Sequence, residues 1–424
     1  MIYVHIPFCR SFCTYCDFYS EVASRCRKAE EALKQEALFE RYADAVAAEA
    51  SIRASEVGKD VNTLYIGGGT PSVLPLSALR RIVDALRSVA GDCPYEEFTV
   101  EVNPEDIVEK GHAYVEGLLE MGVDRVSMGV QSFDDGILRF MNRRHDAGTA
   151  RRAYNILEDS GVENISIDLI FGLPQLSDDV WRETLDKALG ISLRGMLPRH
   201  ISSYQLSVEP GSALARLVER GDWSEASDEL CERQYGMLCE ALGKAGYHHY
   251  EISNFAQPGF EARHNSAYWR HVPYVGLGPG AHSYAVTGLP DEDFRPHGIL
   301  AGTRGLPVRK WNAADVEAYV RAACSGDFAA VEESEVLTGE QLALERIMLG
   351  LRTSRGVDAS FLRSHASAEA LEKALAAGNL VELSSSDGLS DTDAHAGLQA
   401  SGDMVIRIPE SRFFISDSII SDIV

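Results

Sequence analysis

The chain has 424 residues, 45% of them hydrophobic and 25% charged, enough for one large domain and one or two smaller ones with ordinary cores. Its formal charge of −24 would repel phosphate backbones and argues against nucleic acid binding. No apolar run approaches the ~18–20 residues of a membrane span, and no positively charged leader precedes the first apolar run, so the sequence reads as a cytoplasmic protein without an integral membrane segment.

The alternation Ile2, Val4, Ile6, Phe8 predicts a strand over 2–8. It runs into HIPFCRSFCTYCDF, where Cys9, Cys13 and Cys16 stand in a C-x3-C-x2-C spacing. Three thiols on one loop can converge on one inorganic centre, and their odd number in a reducing compartment argues against disulfides. The residues alone leave two centres open. One is a four-iron cluster with one iron lacking a protein ligand; the other is an incomplete zinc site, with His5 as the nearest further donor. The remaining cysteines, Cys26, Cys93, Cys231, Cys239 and Cys324, are scattered and read as buried or incidental thiols.

Further strands are predicted over 62–66, 97–102, 124–130, 163–171 and 199–206. Helical patterns lie between them, as over Leu76–Val89, Ile107–Met121 and Ala150–Leu157. Strand–helix alternation of this kind predicts a parallel α/β sheet, doubly wound or curled into a barrel. Polar and glycine-rich signals fall just behind the strands, at the edge where such folds build sites. Among them, GGGTPS (Gly67–Ser72) offers backbone amides and the Thr70 hydroxyl to a ligand, although a tight turn before Pro71 explains it equally well. Beyond residue 225 the pattern changes. A helix near 226–245 leads to HHYEIS (248–253) and the glycine-rich, aromatic PYVGLGPGAHSY (273–284), and 286–310 reads as a loop or linker. Helices near 312–324 and 338–353, two more helices, strands near 379–383 and 404–408 and a last helix to Val424 suggest a small winged-helix-like domain, with a flexible turn over Ser384–Ser401.

HIPFC, GGGTPS, EVNPE (101–105), SMGVQSFDD (127–135), NRRH (142–145), DLIFGLP (168–174), HISSYQLSVEPG (200–211), YEISNFAQPG (250–259) and HNSAYW (264–269) occur in that order. Together they resemble the oxygen-independent coproporphyrinogen III oxidase family of the radical S-adenosylmethionine (SAM) superfamily, from Tyr3 to about Tyr284. The resemblance implies an α/β fold: a radical SAM partial (β/α)6 barrel over 1–225, a family-specific extension over 226–310, and a C-terminal helical, winged-helix-like domain over 311–424. It further implies that Cys9, Cys13 and Cys16 bind a [4Fe-4S] cluster whose open iron chelates SAM for reductive cleavage to a 5′-deoxyadenosyl radical. Tyr3, Tyr15, Gly68, Gly69, Thr70 and Glu101 match positions that contact SAM in the family. Gln131, Arg143 and Asp168 match an adjacent pocket that holds a second SAM in the oxidases.

The sequence departs from those oxidases in three ways. Phe18 stands where they carry a further cysteine, the chain starts almost at its first strand, and His264–Trp269 fits the H-N-x-x-Y-W motif of the heme chaperone branch, HemW. The resemblance thus implies heme as cargo and a heme-accepting protein as partner. It proposes His264 as axial ligand, with Tyr268 and Trp269 against the porphyrin. If the motif is helical, His264 and Tyr268 share a face. A hydrogen-bonded histidine beside an aromatic cluster is the structural alternative, and His248, His249, His271 and His282 are rival ligands. Two other functions stay open: a coproporphyrinogen III dehydrogenase that turns propionates into vinyls, and a zinc-stabilised binding protein without redox chemistry.

Overall fold

The computed structural model describes the chain except residues 24–28, 58–61, 92–94, 288–305 and 385–403. Cys26, Cys93, most of the 286–310 linker and nearly all of the Ser384–Ser401 turn therefore lie outside the described residues. The chain folds as two compact units, which it enters and leaves more than once. One comprises Met1–Leu238, Pro273–Ala285 and Arg309–Glu335; the other comprises Cys239–Val272, Val286–Val308 and Val336–Val424.

The first unit is built on parallel strands. Ile2–Ile6, Thr63–Gly68, Glu97–Val102, Arg125–Gln131, Asn164–Phe171 and His200–Gln205 lie side by side in that order, with one or more helices after each. Strictly alternating chemistry drives this arrangement. The register aligns Val4, Ile66, Val100, Val126 and Ile165 in one row, all buried on the face that the helices cover. The intervening positions form a polar face. Tyr3, Tyr65, Thr99 and Arg125 make one row, and Glu101, Ser127, Ser166 and His200 the next. A strand polar on one side and apolar on the other commits the sheet to line a polar interior. The helices begin at local signals: Asn103 precedes Pro104 at the first helical position, and Ser177, Ser212, Asp134 and Asp146 each accept a capping hydrogen bond from a backbone amide.

A seventh parallel strand, Val275–Leu277, pairs with the outer edge of Ile2–Ile6. The sequence reading took this stretch only as a glycine-rich, aromatic segment. Its placement depends on a buried ionic knot. The Glu49 carboxylate accepts hydrogen bonds from Tyr319 Oη, Asn312 Nδ2 (2.9 Å), the Gly278 amide (2.9 Å) and Arg53 Nη1 (3.2 Å). Arg53 in turn donates to the Gly276 carbonyl (2.8 Å) and to Ser283 Oγ (3.0 Å). A buried charge stripped of its counter-groups, or the converse, costs about 3–5 kcal/mol. Glu49→Ala is expected to lower the unfolding free energy by about that amount in urea denaturation, and a loss under about 1 kcal/mol would show that the knot is not needed to hold the edge strand.

The second unit contains an antiparallel hairpin, His248–Glu251 with Asn254–Ala256, and a short helix Arg263–Trp269. Its C-terminal part runs helix Gly339–Leu351, strand Val357–Asp358, helices Ala359–His365 and Ala368–Ala376, and strands Val381–Ser384 and Met404–Arg407. The three strands are antiparallel with Met404–Arg407 in the middle. This is the winged-helix-like order that the sequence suggests. A capping box between Thr338 and Gln341 starts the first of these helices.

Candidate cluster and cofactor site

The cysteine loop leaves the first strand, and its thiols are partly exposed and unoxidised. Three anchors fix it. Thr14 donates through Oγ1 to the Phe140 carbonyl (2.7 Å) and through its amide to the Met141 carbonyl (3.1 Å). Asn142, at φ +56, donates to the Phe12 carbonyl (2.7 Å). Arg143 donates to Cys13 Sγ (3.4 Å), to Asn103 Oδ1 (2.7 Å) and to the Gly129 carbonyl (2.7 Å). Asn142 and Arg143 of NRRH therefore brace the thiol loop. Cys9 Sγ lies 3.3 Å from Thr70 Oγ1, which accepts from Asn103 Nδ2 at 3.2 Å. Burial pushes the Cys16 thiol up to about 12 and raises Cys9 as well, and the neighbouring Cys13 adds to both. Burial alone would lower Arg143, but its surroundings, the hydrogen bond to Cys13 and the Glu105 carboxylate among them, raise it and keep the guanidinium charged. Tyr15 is half-buried against Cys13 and Cys16.

The donor chemistry fits an iron–sulfur cluster. Three soft thiols stand within electrostatic reach of one another, with a fixed cation beside one of them to offset thiolate charge. Among the described residues no three His, Cys, Asp or Glu side chains close on a single metal ion; a four-iron cube takes one thiolate per iron instead.

Beside the loop, the Glu101 carboxylate accepts from Tyr65 Oη (2.6 Å) and from the Gly68 amide (3.1 Å). Burial pushes it up to about 7, and the Asp168 charge adds to the rise against the Tyr65 hydrogen bond. Burial likewise raises Asp168, which accepts from Ser127 Oγ (3.3 Å) and is partly offset by Ser202 and Arg125. Gln131 sits at φ +66, where the register with the next strand slips after Gly129. That bulge folds its side chain back over Gly129, where a Cβ would lie 2.8 Å from Gln131 Nε2 and 3.2 Å from Arg143 Nη2. Tyr3 Oη is 3.0 Å from His5 Nδ1, and His5 Nε2 is 2.8 Å from the Tyr19 carbonyl. A carbonyl only accepts, so Nε2 carries the proton and Nδ1 accepts from Tyr3. All nine expected SAM-site residues and the three cysteines thus belong to the first unit.

The glycine run has a second role that sequence did not give. A Cβ on Gly68, at φ +105, would lie 2.6 Å from His5 Nδ1, and one on Gly69 would lie 2.8 Å from the Ile6 carbonyl oxygen. The run makes room for the chain's own first strand as well as for a ligand. Tyr65, Asn103, Arg125, Ser127 and Ser202 also shape the site and were not singled out. Their signal was present as polar residues at alternate positions of strands whose other face is apolar.

His264, Tyr268 and Trp269 lie on the Arg263–Trp269 helix, so His264 and Tyr268 do share a face. The His264 ring is 0% exposed, with Nε2 3.0 Å from Tyr268 Oη. That is the geometry of the structural alternative.

Residues 3–188 match the Radical SAM superfamily. The chain is 34% identical over 355 residues to heme chaperone HemW of Synechocystis sp., covering 84% of this chain and 78% of that protein. It is 32% identical to heme chaperone HemW of Bacillus subtilis, covering 84% of each. It belongs to the HemW family. The Mycobacterium tuberculosis member of that family is 31% identical, covering 89% of this chain and 88% of its own. Among solved structures, coproporphyrinogen III oxidase (HemN) from Escherichia coli, a radical SAM enzyme, matches with TM-score 0.69 over 99% of this chain and 89% of that one. At 20% identity this last likeness shows the fold alone. No described helix is long and apolar enough to cross a membrane.

Proposed function

We propose that this chain is a heme chaperone: it binds heme, a [4Fe-4S] cluster and SAM, and passes heme to an acceptor protein in the cytoplasm. The observation that carries this reading is the identity of 31–34% to heme chaperones HemW across most of both chains. Cys9, Cys13 and Cys16 would hold the cluster. Tyr3, Tyr15, Gly68, Gly69, Thr70 and Glu101 would bind SAM, and Gln131, Arg143 and Asp168 would line the adjoining pocket. Bound there, the cluster supplies one-electron reducing power at its open iron.

The chain's own residues prepare the site. Arg143 ties the thiol loop to the Gly129 bulge and to Asn103, so that loop and pocket wall move together. His5 accepts a hydrogen bond from Tyr3 Oη and donates one to the Tyr19 carbonyl, which fixes the orientation of the Tyr3 phenol. Phe18, where the oxidases carry a further cysteine, is 63% exposed and offers no ligand. The His264–Trp269 helix, closed on itself by the His264–Tyr268 hydrogen bond, is proposed as part of the family-specific framework.

The test is anaerobic reconstitution followed by hemin titration, with a parallel assay for conversion of coproporphyrinogen III in the presence of SAM and reductant. Stoichiometric heme binding without propionate decarboxylation is expected. Sustained multiple turnover would instead favour the dehydrogenase.

A further inference from the structure

Axial ligation requires an imidazole nitrogen whose lone pair is open to the iron. The described histidines differ in this, because a hydrogen bond at one ring nitrogen leaves the other to a metal. His5 is held by Tyr3 and Tyr19, His112 by Ser160, His145 by Glu105 and Val130, and His200 by Ser166. His248 faces Glu261, His271 faces Glu345, and His365 bonds the Phe361 carbonyl. His249 is stacked on Phe255 with ring centroids 4.0 Å apart, and His264 is closed by Tyr268. His282 is held at neither nitrogen. It is exposed, and among the described residues its ring nitrogens have no hydrogen-bond partner.

Its surroundings suit a ligand. The imidazole stacks on Trp311, on the adjacent strand, with centroids 5.8 Å apart and an interplanar angle of 22°. An axial imidazole stands upright on the porphyrin, so a ring laid against its face fixes its orientation and turns an apolar edge towards the macrocycle. Arg309 lies two residues before Trp311 and so on the same face of that strand. Its partner Glu335, at 3.5 Å with both side chains partly exposed, is a surface pair of little energy that an incoming carboxylate can displace. In a chain of charge −24, a cation beside an open imidazole and an indole is a local match for an anionic metalloporphyrin.

The backbone beneath is rigid. Gly276, on the edge strand, lies so close to His282 that a Cβ there would sit 1.9 Å from the His282 carbonyl oxygen. Ser283 Oγ accepts from the Gly276 amide at 2.9 Å and from Arg53 at 3.0 Å. A ligand on such a strand is held in place before the cargo arrives.

From this we infer that His282 is the axial heme ligand, with Trp311 orienting its ring and Arg309 receiving a propionate. The assignment rests on the heme chaperone reading and replaces His264 as the ligand. It is tested by titrating hemin into the reconstituted protein and into its His282→Ala, Trp311→Leu and His264→Ala variants, following the Soret band. His282→Ala is expected to lose the parent's Soret position and to weaken binding at least about tenfold, with free imidazole restoring the spectrum. Trp311→Leu should weaken binding while keeping the histidine-type spectrum, and His264→Ala should keep the parent's band. An unchanged spectrum and affinity in His282→Ala would overturn the ligand assignment while leaving the chaperone reading intact. A parent protein that binds no hemin would overturn the chaperone reading itself.

Discussion

Single replacement of Cys9, Cys13 or Cys16 by Ala is expected to abolish the cluster. After anaerobic reconstitution the parent should hold about four iron and four sulfide per chain, with the broad visible absorption of a cubane. Each Ala variant should fall close to zero, because three thiolates are already the minimum and, among the described residues, the loop carries no further thiol: Cys231 is buried and Cys324 lies near the end of the helix Val316–Ser325. Cys324→Ala should reconstitute like the parent. Arg143→Ala, which unties the loop while leaving all three thiols, should give a labile cluster rather than none. Parent-like iron and sulfide in Cys13→Ala would end the assignment. A single tightly bound zinc in the parent would revive the other reading of the motif.

The second large effect concerns Glu101 and has a defined pH dependence. Its carboxyl is pushed up to about 7 from the ordinary 4.5, chiefly by burial. A folded-state value above the unfolded one means that the ligand-free protein binds the extra proton. The group therefore costs stability as pH rises from about 4.5 to 7. SAM is a sulfonium carrying an ammonium group and calls for the ionised carboxylate. Binding must remove the proton below pH 7, and apparent affinity should rise about tenfold between pH 6 and 8. Calorimetric titration of the reconstituted protein in two buffers of different ionisation heat would register proton release at pH 6. Glu101→Gln should flatten that slope, and Glu101→Ala should weaken SAM binding by a charge-assisted hydrogen bond, about 1.5–3 kcal/mol. Iron and sulfide contents should stay unchanged in both. Equal SAM affinity at pH 6 and 8 in the parent would show the carboxylate already ionised at pH 6, and parent-like affinity in Glu101→Ala would remove Glu101 from the site.

How much of this was legible in the sequence depends on the range of the interaction. The six strands followed by helices could be read because period-two and helical patterns are local. So could the thiol loop, whose ligands lie within eight residues, and the winged-helix-like order near the C-terminus. The Val275–Leu277 strand could not, because three residues with a central glycine carry no strand signal. It is a strand only because Ile2–Ile6 offers an edge and Glu49 holds the turn at Gly278. The polar lining was written in the alternation at Thr99, Arg125 and Ser127, but single polar residues within a strand do not announce that they face one another. The glycines of GGGTPS were read for a ligand, whereas His5 and the Ile6 carbonyl also claim their space. His264 stands out by motif, whereas His282 is set apart by its stack on Trp311, which comes from another strand and has no local signal.

The late arrival of the Val275–Leu277 strand has a consequence during synthesis. Ile2–Ile6 is made first, yet its second neighbour emerges some 270 residues later and is secured only when Asn312 and Tyr319 reach Glu49. At about 5–20 residues per second, the ribosome leaves that edge unpaired for roughly 14–55 s. For this interval the nascent chain exposes a strand able to recruit stray strands, and the thiol loop borders a sheet not yet closed on that side. Iron and sulfide delivered to the growing chain would meet the loop beside an open sheet edge, whereas delivery after release would meet partly exposed thiols beside an edge already paired.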